Sequence, residues 1–388
     1  MKRLAIVSTH PIQYNAPLFQ LLATSSVISI KVFYTWGESV LSGKFDPGFG
    51  KNIDWDIPLL QGYDYSFVKN VSPRPGSHSY KGINNPSLVS EIENWGASAV
   101  LVYGWSFKSH LHCLRYFYKK IPVFFRGDST LIDPQPLLKR IFRFVFLRWV
   151  YSHIDTALYV GTNNKNYFER YGVAEDKLVF APHAVDNDRF FDNAIKKYEE
   201  QAIQWRKELS IPQTATVFLF AGKLEEKKDP LLLLNAFDNI NNDKNCFLVI
   251  AGNGHLEGEV RSKASGNSNI KCIGFQNQSV MPVLYRVADC VVLCSKGPNE
   301  TWGLAVNEAM ACARPVIVSN KCGCAIDLVR DGVNGYVFNS GDKEDLKNKM
   351  EFFIAEKIKG NDMKAKAVAG IQPWNFSEIC KKVEAITI

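Results

Sequence analysis

Glu300 and Glu308 stand eight positions apart in NETWGLAVNEAMACARPVIVSN, residues 299–320, with Trp302, Gly303 and Leu304 between them. The preceding CVVLCS reads as a buried strand, KGPNET as its exit loop, and Gly303 to Ala311 as a helix. The amides near Gly303 and Leu304 then lack acceptors inside the helix, and such a terminus binds phosphate. Glu300, in the loop, can reach hydroxyls of a sugar carried on that phosphate. Glu308, over one turn into the helix, can accept from a vicinal diol such as a ribose. Carboxylates suit both tasks because they accept without donating, and their two oxygens match two adjacent hydroxyls. The plainer alternative is a helix-start acid and a surface helix residue.

A second cluster lies in FAGKLEEKKDPLLLLNAF. Lys223 follows a strand that ends at Gly222, and Lys228 comes five residues later, just before a helix. Two ammonium groups there can clamp a diphosphate and stabilise it as a leaving group. A solvated run in which Glu225 and Glu226 pair with Lys227 and Lys228 stays equally open. In FLVIAGNGHLEGEV the glycines at 252, 254 and 258 imitate a dinucleotide fingerprint, but the third is one residue late and no acidic residue closes the next strand. A tight turn with backbone close to a ligand is the preferred reading. Asp54 and Asp56, in the first-half stretch KNIDWDIPLL, resemble a metal-holding acidic pair but have no further ligand nearby, so a solvated loop is expected.

The elements that must position these groups alternate along the chain. LAIVS, ISIKVFY, AVLVYG, VFFRG, ALYVG and KLVFA are separated by segments of helical period, and after residue 187 TVFLFAG, NCFLVIAG, IKCIGF, CVVLCS, PVIVS and GYVF repeat the scheme. Apolar strands between helices imply parallel sheets covered on both faces. The expected fold class is therefore α/β, with two doubly wound Rossmann-like domains facing across a cleft. The domain spans are 1–186 and 187–373. Ligands should sit beyond the carboxyl ends of the strands.

At 388 residues and 46% apolar content the chain has material for two cores. It has no apolar run of membrane-spanning length, and Pro11 interrupts the start before a secretory signal could form, so a cytoplasmic protein is expected. Nine cysteines without a C-x-x-C read as buried small apolar residues. The net charge of +7 is uneven: residues 1–186 hold 20 Lys and Arg against 14 Asp and Glu, leaving 26 against 25 for the rest.

ETWGLAVNE resembles the E-x7-E motif of the retaining glycosyltransferases of family 4, which have the GT-B fold. AGKLEEKKDP is similar to that family's G-R-x4-K segment, LVIAGNGHLEGEV to its glycine turn, and IDLVRDGVNGYVF to the stretch after its second Glu, in order from about residue 178 to 340. The resemblance implies transfer of a sugar from a UDP or GDP type nucleotide-diphosphate sugar to a glycan or lipid-linked acceptor, with retention of configuration, in cell-surface polysaccharide or glycolipid synthesis. It implies no metal and no cofactor beyond the sugar nucleotide itself. By that likeness Lys223 and Lys228 hold the donor diphosphate and Glu300 the transferred sugar. Gly303 and Leu304 hold the phosphates, Glu308 the ribose, and Phe275 to Asn277 lie beside the base. Gly254 and Trp302 join the same donor set, and a closing helix in 374–388 crosses back to the first domain.

The first half departs from the family pattern. STHPIQYNAP stands where a Gly-Gly pair is usual, and FFRGDSTL stands where a His is common, so Asp128 or Arg126 takes that place, Asp128 as a catalytic candidate. Lys223 replaces the usual Arg, keeping charge without the bidentate fork. The acceptor-side candidates are His10, Gln13, Tyr14, Tyr103, Trp105 and Arg126, each near the carboxyl end of an expected strand. His183 reads as structural. A helix from about Gln135 sets Lys139, Arg140 and Arg143 on one side and Leu138, Phe142, Val145 and Trp149 on an apolar face. Burial of that face and docking on an anionic membrane surface are both open, so a peripheral station on the cytoplasmic membrane face is carried as an alternative. Two rival classes remain. A glycoside hydrolase would use Glu300 and Glu308 without need of the lysines. A nucleic-acid binder would use the basic first half, which lacks any recognisable binding motif; no nucleic-acid partner is expected.

Overall fold

The structure is a computed structural model that describes residues 1–37, 44–46, 48–240, 245–298 and 300–388. The chain divides into two compact units. The first comprises Met1–Lys44, Ile57–His183 and Phe376–Ile388; the second comprises Phe45–Asp56 and Ala184–Asn375.

The strands of the first unit's sheet are β1 (Lys2–Ser8), β2 (Ile28–Tyr34), β5 (Asp64–Phe67), β6 (Ala99–Tyr103), β7 (Val123–Arg126), β8 (Thr156–Tyr159) and β9 (Leu178–Phe180); β3 (Lys44–Asp46) and β4 (Lys51–Ile53), between β2 and β5 in sequence, pair as a separate ribbon that falls almost wholly in the second unit. Among the described residues the sheet runs β5-β2-β1-β6-β7-β8-β9, and its pairings are parallel. Strand order reverses between β1 and β6, so the loops after these two strands flank the switch point where a doubly wound sheet takes its ligand.

The second unit repeats the plan with β10 (Thr216–Ala221), β11 (Cys246–Ala251), β12 (Ile270–Ile273), β13 (Cys290–Leu293), β14 (Val316–Ser319) and β15 (Gly335–Phe338), ordered β12-β11-β10-β13-β14-β15 and again parallel. The switch point lies between β10 and β13. Their continuous apolar character follows from burial on both faces: Phe218, Phe220, Leu248 and Ile250 share one core with Leu233, Leu234, Phe353 and Ile354 of the helices on that side, and Val217, Leu219 and Val249, which point to the other side, are equally buried. Each fully buried Leu or Phe contributes about 1.5–3 kcal/mol, which is why the strands carry so few polar residues. The fold is the α/β class with two Rossmann-like units expected from the sequence.

Candidate functional site

In the second unit the two sequence clusters come together. β10 ends at Ala221 and delivers Lys223 and Lys228; β13, its neighbour across the switch point, delivers the loop that carries Glu300. The Lys228 ammonium donates to Glu300 Oε2, and Ser295 Oγ donates to the same oxygen at 2.9 Å. Glu300 is 9% exposed. Burial opposes its ionisation, but the adjacent Lys228 charge and hydrogen bond, helped by Lys227 and Ser295, bring its pKa below the usual carboxylate value. The solvated-run alternative is corrected for Lys228, whose partner is Glu300 and not Glu225 or Glu226; Lys227 does pair with Glu225 at 3.8 Å.

The turn after Glu300 is held from behind. Gly323 N–H donates to the Glu300 carbonyl at 3.2 Å and Cys324 N–H to the Trp302 carbonyl at 3.0 Å. A Cβ at Gly323 would overlap the Thr301 carbonyl oxygen, so only glycine permits this approach. Gly303 has φ +102° and opens the helix Leu304–Ala311; Val306 N–H donates back to the Gly303 carbonyl at 2.9 Å, and the Leu304 and Ala305 amides have no carbonyl ahead of them in the helix. Glu308 lies inside that helix, 2% exposed, and its Oε2 accepts from the Tyr285 hydroxyl at 2.6 Å. The surface-helix alternative for Glu308 is thereby corrected.

Two members of the expected donor set have other work. Trp302 is buried, donates from Nε1 to Asn307 Oδ1 at 2.8 Å and packs on Trp374 with ring centroids 5.1 Å apart, so it braces the helix start from inside. Gly252 and Gly254 are needed because a Cβ at either would strike the chain's own carbonyls, of Gly222 and Leu224 respectively. The expected tight turn is present, and it brings backbone against backbone. Phe275 and Asn277, after β12, meet the segment 48–56: Phe275 lies 5.0 Å from Phe49, and Asn277 Nδ2 donates to the Asp54 carbonyl at 2.7 Å. Asp54 and Asp56 are exposed and lie in a loop, as expected, and the loop is fastened: the Asp56 carboxylate accepts from Ser279, which makes the segment a strap on the second unit. Sequence reasoning missed Ser295, Tyr285, Gly323 and this strap. Ser295 lies just past an apolar strand, a position too common for serine to single it out; Gly323 and Phe49 depend on contacts between segments far apart in sequence.

In the first unit His10, Gln13 and Tyr14 lie in the loop after β1 and Trp105 in the loop after β6, the two loops at the switch point; Tyr103 ends β6. His10 bonds to Thr9 Oγ1 at 2.9 Å and packs edge-on to Trp36, while Trp105 packs on Phe146. Arg126 is corrected from acceptor contact to structural pin: it is 6% exposed and donates to the carbonyls of Ala181 and Pro182, each at 2.9 Å. His183 is half-buried, and loss of hydration, only partly offset by Asp128 and reinforced by Arg126, pushes its pKa down to about 4. Asp128 thus stands within the electrostatic reach of both His183 and Arg126. The helix Leu137–Tyr151 buries Leu147, Val150 and Tyr151, whereas Leu138 is 72%, Phe142 77% and Val145 65% exposed. Burial of its apolar face is therefore corrected. Arg143, expected beside Lys139 and Arg140, turns to the Tyr167 hydroxyl at 2.9 Å.

Residues 201–369, within the second unit, match the family model described as Glycosyl transferases group 1. The chain is 30% identical over 173 residues to the lipopolysaccharide 1,2-N-acetylglucosaminetransferase of Salmonella typhimurium, covering 42% of this chain and 44% of that one. It is 27% identical over 212 residues to the Campylobacter jejuni GalNAc-alpha-(1->4)-GalNAc-alpha-(1->3)-diNAcBac-PP-undecaprenol alpha-1,4-N-acetyl-D-galactosaminyltransferase, covering 54% and 53%. The chain thus spans about half the length of the curated relatives it matches. Among solved structures, Anabaena HepE in complex with UDP superposes with a TM-score of 0.72 at 15% identity, covering 100% of this chain and 99% of that one, which places the fold in the GT-B class.

Proposed function

We propose that this protein is a retaining, metal-independent glycosyltransferase. It moves a sugar from a nucleotide-diphosphate sugar to a glycan or lipid-linked acceptor in cell-surface polysaccharide or glycolipid synthesis. The observation that carries the reading is the convergence, at the switch point of the second unit, of Lys223, the Lys228–Glu300–Ser295 cluster and the N-terminus of the helix Leu304–Ala311. The cations and the helix terminus are available for the diphosphate, whose charge grows as the sugar departs. Glu300, held as a carboxylate beside Lys228, is a weak base suited to accept hydrogen bonds from the sugar. The acceptor proton then goes to a donor phosphate oxygen on the face the acceptor attacks, which gives retention. Glu308, its rotamer set by Tyr285, takes the ribose diol. A glycoside hydrolase would have no use for the lysines and the helix terminus beside its acids.

The lipid-linked acceptor is favoured by the exposed face of Leu137–Tyr151. Leu137, Leu138, Ile141, Phe142, Val145 and Trp149 are turned to solvent with Lys139 and Arg140 among them, a composition that suits an anionic bilayer. No helix among the described residues is long and apolar enough to cross a membrane. Peripheral contact at the cytoplasmic face follows as part of the proposal.

The test is calorimetry with UDP, GDP and their sugars, beside a turnover assay in excess EDTA. Glu300→Gln is expected to abolish turnover while nucleotide affinity stays within about threefold. Glu308→Gln is expected to weaken nucleotide binding about tenfold or more, the loss of a charge-assisted hydrogen bond. Turnover lost in EDTA and restored by magnesium or manganese contradicts the metal-free mechanism. Unchanged nucleotide affinity in Glu308→Gln contradicts the assignment of roles.

A further inference from the structure

The strap 48–56 comes from the first half of the sequence, yet it packs with the second unit and touches its loops at one place after another. Gly48 lies so close to Lys223 that a Cβ there would stand 2.6 Å from the Lys223 ammonium nitrogen. That ammonium sits over the Phe49 ring, 4.9 Å from its centroid. Phe49 meets Phe275 edge-on at 5.0 Å, and Trp55 lies against the same Phe275 at 6.3 Å with the planes tilted by 51°. Beyond the rings, the Asp54 carbonyl takes the Asn277 amide, and the Asp56 carboxylate takes the backbone N–H of Ser279 at 3.0 Å together with its hydroxyl. The three rings are half-buried.

We infer that Phe49 and Trp55, together with Phe275, are contact residues for the nucleobase of the donor, and that Asp56 latches the strap that carries them. The inference rests on the donor-site reading above and adds residues from outside the matched domain. Three aromatic rings gathered at the end of β12, one of them touching a lysine at the end of β10, offer a planar ligand a stacking surface and its phosphates a cation. A nucleoside diphosphate combines both features. Edge-on and tilted rings have no parallel gap between them, so base entry exchanges ring-on-ring contact for ring-on-base stacking. Phe49 leaves the Lys223 ammonium to the phosphates. Because every base has a π-face, the clamp supplies affinity more than choice among bases.

Calorimetric titration of the full chain with UDP, GDP and inorganic pyrophosphate separates the possibilities. Phe49→Ala and Trp55→Ala are each expected to weaken the better nucleotide by about five- to tenfold, and Trp55→Phe to stay within about twofold of wild type because it keeps a ring. Pyrophosphate, which has no base, should bind wild type and Trp55→Ala alike. Asp56→Asn should weaken the nucleotide by a smaller factor and leave pyrophosphate unchanged, the signature of a positioning residue. Trp55 emission, taken as wild type minus Trp55→Phe, should be quenched by nucleotide. Nucleotide affinity equal in wild type and both alanine variants overturns the inference while the donor-site reading stands. An equal loss of pyrophosphate and nucleotide in Trp55→Ala also overturns it, since the strap would then support the site's folding and not the base. A chain that binds neither nucleotide, with or without the two rings, overturns the donor-site reading and this inference with it.

Discussion

Ser295 decides more about Glu300 than its small side chain suggests. Its hydroxyl donates to Glu300 Oε2, and its own carbonyl accepts from Ser319 Oγ and, at 3.4 Å, from Ser340 Oγ, so it is fixed from both ends. Removing the hydroxyl leaves one oxygen of a nearly buried carboxylate with Lys228 alone. Ser295→Ala is expected to lower kcat about tenfold with little change in nucleotide affinity, the cost of one hydrogen bond to a charged group. Lys228→Met removes the charge that offsets burial. Glu300 then titrates at higher pH, and the acid limb of the rate profile shifts upward. A destabilisation of about 2–3 kcal/mol should accompany it, below the value for fully buried pairs because Lys228 keeps some solvent contact. Denaturant unfolding and pH–rate profiles of the two variants check both outcomes. Glu300 and Lys228 were legible from the sequence because carboxylates and lysines at strand ends announce themselves. Ser295 was not, since a serine after a strand has many bland uses and its value here comes from partners at 300 and 319.

Among the elements, the parallel strands other than β5 and the helix Leu304–Ala311 were legible because period and burial agree: a short apolar run, then a turn, then a helical stretch; β5, Asp64–Phe67, has too polar a sequence to stand out. The strap and the Gly323 loop were not, because their sequences are short and polar, and only tertiary contacts give them a conformation. The helix Leu137–Tyr151 is the instructive case between these. Its amphipathicity was visible, but amphipathicity does not say which face points inward, and the structure turns the wider apolar face to solvent. Arg115 lies over Trp149 at 5.3 Å, adding a cation from the neighbouring helix Lys108–Phe117 to the same surface. Co-sedimentation with vesicles containing anionic phosphatidylglycerol is expected to retain the chain at low salt. Each exposed Lys or Arg at the surface adds about 1 kcal/mol. Lys139→Gln with Arg140→Gln should therefore lower retention by about tenfold or more, and Phe142→Ser should lower it independently of salt. Equal recovery in the supernatant with anionic and neutral vesicles contradicts lipid docking and favours a soluble acceptor.

At the scale of the whole molecule the two units carry different titrations. His110, buried, and His183, half-buried, both lie in the first unit, and loss of hydration holds each pKa down to about 4; hydrogen bonds from His110 to the Tyr103 and Gly104 carbonyls and the Asp128 charge near His183 offset this only in part. A histidine whose folded pKa lies below its unfolded value near 6.5 stays neutral in the fold while the unfolded chain takes up a proton. Its contribution is therefore fully present above about pH 6.5 and is lost as pH falls toward 4. In the second unit Glu300 and Asp289 have depressed pKa values despite burial, through Lys228 and through Arg206 and Lys357, so their stabilisation persists across that window and is lost only at lower pH. Acid should accordingly weaken the first unit before the second. Calorimetry between pH 7 and pH 5 is expected to show the first unit's transition falling more steeply. Each tenfold difference in proton affinity between the folded and the unfolded chain is worth about 1.4 kcal/mol once the group titrates. Nucleotide at about 100 times its dissociation constant should raise only the other transition, by about 2.7 kcal/mol of apparent stability. One set of scans therefore tests both assignments. If His110→Asn and His183→Asn leave the pH-sensitive transition as steep as before, the two imidazoles are not its cause; if nucleotide raises that same transition, the donor site belongs to the wrong unit.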